Sequence, residues 1–345
     1  MQFSQSNQGL TQNIDLQSHS SSQISHLNFA PFVAKTFQLP EKSYDGPNIY
    51  VEKYDMIISC PARHAIKFYN ATTLLPFKER KSPELYSSIV RIAHLPDTEI
   101  CLLACFSGNM FLYDLSTNLS NMVLTNGGLQ ISAMEFMDSK NYVFLARESA
   151  FFRATLSSLY LGKFFYGSRT SFPLKNKDPC SLHLLPKPKI LLIGLSNSSI
   201  ISVRINQIDR CPKMEVLDTK QSRFGVRSTT IKSAVINGKE YVITGGYDHM
   251  MRIWHFIKGK LRLLKAINTD DIVSNIVYLE KYKMVAVTCR TSDVRFFKLP
   301  LGKLVAKVVL GDQQYEGMFL MKEKNTLGVS CCFNREIKFV QLHRQ

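Results

Sequence analysis

The stretch GGYDHMMRIWH, residues 245–255, holds the only tryptophan of the chain, a Gly-Gly pair and an Asp-His pair. It reads either as a catalytic corner or as one copy of a repeat. The apolar run YVIT (241–244) precedes Gly245 and Gly246, a polar turn follows around Asp248, and a second apolar run, MRIW, occupies 251–254. Two short strands joined by a Gly/Asp-rich link form a β-hairpin.

The same grammar recurs along the chain. It is present in DMIISCPARHAIKFYN from Asp55, EICLLACFSGNMFLYDL from Glu99 and, more weakly, NYVFLARESAFFRATL from Asn141. It returns in KILLIGLSNSSIISVRI from Lys189, KMVAVTCRTSDVRFFKL from Lys283 and NTLGVSCCFNREIKFVQL from Asn325, making seven copies. The second strands begin near Ile66, Met110, Phe152, Ile201, Met251, Val294 and Ile337, at spacings of 44, 42, 49, 50, 43 and 43 residues. Two further strand-like runs separate successive hairpins, as in LRLLKAI (261–267) and IVSNIVYL (272–279). Four strands per period of roughly 40–45 residues is the pattern of a propeller blade.

On these residues the chain resembles the WD-repeat β-propeller family. Small residues, a turn Asp, an apolar position, a basic residue and Trp254 follow one another as in the core of such a repeat, and Tyr113-Asp114 stands nearest to its signature dipeptide. The resemblance implies an all-β fold, a seven-bladed propeller of four-stranded blades over residues 29–345. In that family the N-terminus commonly supplies the outer strand of the last blade. FAPFVAKTFQL (29–39) has the apolar content for this, and leaving that sheet edge bare is a liability soluble proteins avoid. NIYVEKYD (48–55) would then open the first blade.

The repeat register absorbs most residues that invite a chemical reading. Cys105, Cys289, Cys332, Ser196 and Gly246 share one position at the end of a packed strand, with Cys60 one turn residue displaced. Cysteine there is a small hydrophobe, so no metal site is expected. Ser107, Ser198, Asp248, Thr291 and Asn334 share a hairpin position where short polar side chains bond their own backbone. Lys67, Arg153, Arg252, Arg295 and Lys338 recur one residue into the second strand. No nucleophile elbow, P-loop, zinc-protease or dinucleotide fingerprint is present, so no catalytic residue, cofactor or small-molecule substrate is expected.

Residues 1–28 differ from the rest: 17 of them are Gln, Ser, Asn or Thr and Asp15 is the single charge, a composition that predicts a disordered tail. It has neither secretory nor mitochondrial character, and no apolar run reaches the roughly 20 residues of a membrane helix. The expectation is a soluble cytoplasmic or nuclear protein without membrane insertion.

Charge is unevenly placed. Residues 141–265 hold 21 Lys or Arg against seven Asp or Glu, a balance of +14 within a total of +16. That sector predicts an anionic partner. Propeller geometry assigns Lys175, Lys177, Lys220, Arg223 and Arg227 to one face, and Lys187, Lys189, Lys258 and Lys260, with Arg210, Lys213 and Lys239, to the other. The function expected is a non-catalytic scaffold for protein–protein contacts in a multi-subunit complex. The alternative is an RNA-associated propeller, as in a ribonucleoprotein or ribosome-assembly factor, that binds phosphates through the basic sector.

Overall fold

The computed structural model describes residues 29–39, 47–62, 65–81, 88–95, 98–117, 119–124, 131–137, 142–147, 150–155, 171–173, 179–185, 190–196, 199–205, 214–220, 228–331 and 336–343. The tail expected at 1–28 lies outside them. Strand β1 spans Phe32–Gln38. The first sheet follows as β2 (Asn48–Val51), β3 (Met56–Ala62), β4 (Ala65–Asn70) and β5 (Pro76–Lys81), and the second as β6 (Ile89–His94), β7 (Ile100–Cys105), β8 (Met110–Asp114) and β9 (Ser120–Leu124). The third comprises β10 (Ala133–Met137), β11 (Tyr142–Arg147), β12 (Ala150–Thr155) and β13 (Ser171–Pro173), and the fourth β14 (Pro179–Leu185), β15 (Ile190–Leu195), β16 (Ile200–Ile205) and β17 (Met214–Lys220). The fifth has β18 (Ser228–Ile236), β19 (Lys239–Gly246), β20 (Met250–Ile257) and β21 (Lys260–Asn268); the sixth has β22 (Val273–Leu279), β23 (Met284–Cys289), β24 (Asp293–Lys298) and β25 (Lys303–Val309). The last sheet takes β26 (Tyr315–Met321), β27 (Thr326–Cys331) and β28 (Glu336–Gln341) and adds β1 beyond β28.

Among the described residues these strands make seven four-stranded antiparallel sheets, six of them in simple chain order. In the exception, β1 runs beside β28 from Phe32 opposite Gln341 to Gln38 opposite Glu336. The second strand of a sheet is its most apolar. ICLLAC of β7, ILLIGL of β15 and MVAVTC of β23 are buried at every residue. Continuous apolar runs replace the alternation of a one-sided sheet because another sheet covers each face.

That coverage is visible in the core. Sheets one and two share Ile58, Phe68, Leu103 and Phe111; sheets four and five share Leu192, Ile200, Val242 and Trp254. Ile243 and Ile253 of the fifth pack with Val285 and Phe297 of the sixth, and Phe296 of the sixth packs with Tyr315 and Val329 of the seventh. The seventh also meets the first, where Phe319, Ile337 and Phe339 pack with Ile57 and Tyr69. A polar clasp joins the same two sheets. Lys324 Nζ lies 2.5 Å from Asp55 Oδ1, and Asp55 also accepts from Tyr50 Oη at 3.1 Å and Thr72 Oγ1 at 2.6 Å. Burial opposes ionisation of Asp55, but these donors outweigh it and hold the carboxyl below its ordinary range.

Candidate functional site

The stretch that first suggests chemistry is a hairpin. Asp248 Oδ1 accepts from the Met250 amide at 3.3 Å, and Oδ2 meets Arg252 Nη2 at 2.5 Å, so the carboxylate organises its own turn. His249 is exposed in the left-handed region at φ 59°. Trp254 is buried, its Nε1–H donating to Thr244 Oγ1 at 3.0 Å. Gly245 is required by close approach, because a Cβ there would land in the Val273 side chain of the sixth sheet.

Of the recurrent cations of the third strands, Arg252, Arg295 and Lys338 are internal fasteners. Arg295 reaches Asp293 at 2.9 Å, the Thr269 carbonyl at 2.8 Å and Asp270 at 3.1 Å. Lys338 repeats the device one sheet on, with Glu336 at 3.0 Å and a bond to the Leu310 carbonyl. Lys67 and Arg295 are buried. Sequence alternation turns this position away from the apolar neighbours; the next sheet covers that side as well. Such cations are spent on the fold and are not part of a binding stripe.

The basic residues that do converge lie at the seam of the fourth and fifth sheets. Two two-residue turns sit there: Asn237-Gly238 between β18 and β19, with φ 51° and 73°, and Lys258-Gly259 between β20 and β21, with φ 49° and 84°. Paired positive φ values match the twist of the flanking strands, which is why Asn-Gly and a second glycine occur here. Ser202 Oγ donates to the Gly259 carbonyl at 2.9 Å and pins the second turn to the fourth sheet. Between the sheets opens a cleft of about 520 Å³, lined by Arg204, Lys239, Glu240, His255 and Lys258 among others. The imidazole of His255 stacks on Tyr241 at 5.3 Å. Three cations and one carboxylate give the mouth a positive balance, suited to an acidic group.

Among the nine basic residues expected to bind, the structure places Lys258 in this cleft and Lys260 exposed just beyond it, at the start of β21. Lys175, Lys177, Lys187, Lys189, Arg223 and Arg227 lie outside the described residues. Lys220 is the last residue of β17, opposite Ile200. Pairing continues through Asp218 and Thr219, opposite Ser202 and Ile201, beyond a register shift between Ser202 and Val203.

A second cluster escapes sequence reasoning. Neighbouring first strands β10, β14 and β18 bring together Glu135, His183, Lys232 and Ser233. His183 Nε2 lies 2.8 Å from Ser233 Oγ, while Nδ1 has no hydrogen-bond partner among the described residues and stands 3.9 Å from Glu135 Oε1. Burial pushes the Glu135 carboxyl up to about 7, against the pull of Lys232. Burial and then Lys232 push His183 down to about 3. The imidazole is therefore neutral, and its approach to Glu135 is not a neutral-pH ion pair. No local motif reveals this group, because Glu135, His183 and the Lys232-Ser233 pair sit about 50 residues apart, in three successive repeats. The thiols Cys101 and Cys105 are buried and pushed up to about 12, too high for a thiolate at neutral pH. Among the described residues, no three His, Cys, Asp or Glu side chains are placed to hold a metal ion, and no helix is long and apolar enough to cross a membrane.

A chain of a structure described as "Crystal Structure of Mitotic Checkpoint Complex" superposes with a TM-score of 0.74 at 10% sequence identity, covering 98% of this chain and 99% of that one. The two chains share a fold. Likeness at that identity carries the architecture and nothing of the site. As many as 1730 chains of solved structures match, so the architecture is common and does not single out a role. No family model matches the sequence, and no curated protein does.

Proposed function

We propose that the protein is a seven-bladed β-propeller of the WD-repeat kind, its ring completed by β1, acting as a non-catalytic scaffold that binds protein partners within a larger complex. Support for the ring is the order of contacts. First strands neighbour one another from β2 through β6, β10, β14, β18 and β22 to β26, and β26 neighbours β2. The domain reading is a propeller over 29–345 preceded by a disordered 1–28 tail.

The observation carrying the scaffold reading is the basic cleft on a rigid double turn, lined by Arg204, Lys239 and Lys258. Rigid frames that present loops at fixed positions are suited to binding. A neighbouring fold found within a protein assembly agrees with this. In this reading Lys258, Lys260, Lys187 and Lys189 serve the cleft face, and Lys175, Lys177, Lys220, Arg223 and Arg227 serve the opposite one.

Co-purification from native cells, read by mass spectrometry, tests it with two charge-reversed proteins, Lys239→Glu/Lys258→Glu and Lys220→Glu/Arg223→Glu/Arg227→Glu. The scaffold reading expects a defined protein set that one of the two variants loses. Recovery of RNA alone, in nuclease-sensitive complexes, would support the phosphate-binding alternative and overturn the scaffold.

A further inference from the structure

The outer strands of the seven sheets are not alike. β9 and β13 have five and three residues, and β5 starts at Pro76, all of which blunt an edge against pairing. β21 is the longest at nine residues, contains no proline, and has no described strand beyond it. Its sequence, KLRLLKAIN, leaves Leu263 and Leu264 each 47% exposed, because a register shift opposite Ile253 and Trp254 turns both outward. The sixth sheet extends this surface. Lys265 Nζ donates to the Leu301 carbonyl at 2.9 Å, setting exposed Leu301 beside β21, and exposed Leu304 and Val305 follow on β25. A long apolar edge of this kind invites an added strand.

Its charge says which strand. β21 carries Lys260, Arg262 and Lys265 and no acid, and β25 carries Lys303 and Lys307 and no acid. Lys307 is held by Asp293 at 2.9 Å, whereas no carboxylate among the described residues pairs with Lys260, Arg262 or Lys303. A second copy would bring like charges together across the edge. The chain's own 1–28 offers only Asp15.

We propose that β21, residues 260–268, flanked by β25, is a docking edge for an extended acidic segment of a partner protein, which joins the fifth sheet as a further strand. Main-chain bonds would hold it, its carboxylates would meet Lys260, Arg262 and Lys303, and its alternate apolar side chains would cover Leu263 and Leu264. This inference rests on the scaffold reading and specifies where and what the scaffold holds.

The test uses the full chain and a short synthetic peptide alternating Val or Thr with Asp or Glu, followed by fluorescence anisotropy at low salt. Controls are the same peptide with Lys at the acidic positions and with Pro at two central ones. The acidic peptide is expected to bind, the other two about tenfold or more weakly. Lys260→Glu/Arg262→Glu should weaken binding by a similar factor. Leu263→Thr/Leu264→Thr, which keeps β-forming residues, should weaken it independently and guards against misfolding of the first variant. Equal binding of the proline peptide, unchanged binding in both variants, or preference for single-stranded RNA would overturn the proposal. If instead only Lys239→Glu/Lys258→Glu abolishes peptide binding, the edge is refuted while the scaffold stands. Absence of any protein partner in the native co-purification would remove the scaffold itself.

Discussion

Trp254 fills the seam between the fourth and fifth sheets and satisfies its indole N–H on Thr244, so it acts as a core residue. Trp254→Ala should cost about 3–5 kcal/mol through the cavity it leaves, measurable by urea unfolding; a variant as stable as wild type would contradict that role. Lys258 tells the opposite story. It holds φ at 49°, where a side chain costs roughly 1–2 kcal/mol and where asparagine is tolerated better. Lys258→Asn should therefore be neutral or stabilising by up to about 1 kcal/mol while weakening partner binding. A melting temperature well below wild type would count against the strain. Glu135 and His183 make opposed contributions to pH dependence. With a folded value raised to about 7, Glu135 stabilises most fully at low pH and loses that as pH rises toward 7. With a folded value lowered to about 3, His183 loses stability as pH falls from the ordinary imidazole range toward 3. Between about pH 5 and 6 the two slopes cancel, so wild type should be nearly flat there. Glu135→Gln should instead gain roughly 1 kcal/mol per pH unit across that window. A flat profile for the variant would show that His183 is not kept neutral. Trp254 and Asp248 were legible in the sequence because their partners, Thr244 and Arg252, lie within the same hairpin. Glu135 and His183 were not, since their environment comes from three separate sheets.

Strands and hairpins follow from local pattern. Every second-strand start expected from the repeat falls within two residues of a strand observed, from Ala65 of β4 to Glu336 of β28. The third repeat, whose ARESAF turn lacks a pair of small residues, still forms β11 and β12, because pairing from Tyr142 opposite Thr155 to Arg147 opposite Ala150 supplies what the turn does not. β1 was legible as the outer strand of the last sheet, but its contacts with the sixth and first sheets were not. Phe29 meets Tyr282 and Phe296 at ring distances of 5.0 and 5.1 Å, and Phe37 meets Tyr69 at 5.1 Å. One short segment thus touches the sixth, seventh and first sheets. Deleting residues 1–25 should leave the urea midpoint unchanged. Deleting 1–40 should lower stability by about 2–4 kcal/mol, given loss of the β28 ladder, of the partly buried Phe29 and Phe37 and of buried Leu39. A fragment beginning at residue 41 with wild-type stability would mean that β1 merely decorates the seventh sheet.

At the scale of the molecule, most of the positive balance belongs to residues 141–265, and the cleft and the β21 edge both draw on it. Such a one-sided field should make association with an acidic partner fast and salt-sensitive, the rate falling severalfold between about 50 and 200 mM salt while dissociation changes little. Stopped-flow kinetics that show a salt-independent on-rate would assign recognition to apolar contact alone. Pairing of β1 with β28 has a further consequence, in time rather than space. Gln38 donates to Glu336 across 298 residues, so β1 must wait for β28. At roughly 5–20 residues per second of synthesis, β1 would stand without its partner for about 15–60 s. For that interval β1 lacks the ladder that closes one of its edges, and the finished protein's yield in a cell depends on what shelters that edge until β28 emerges.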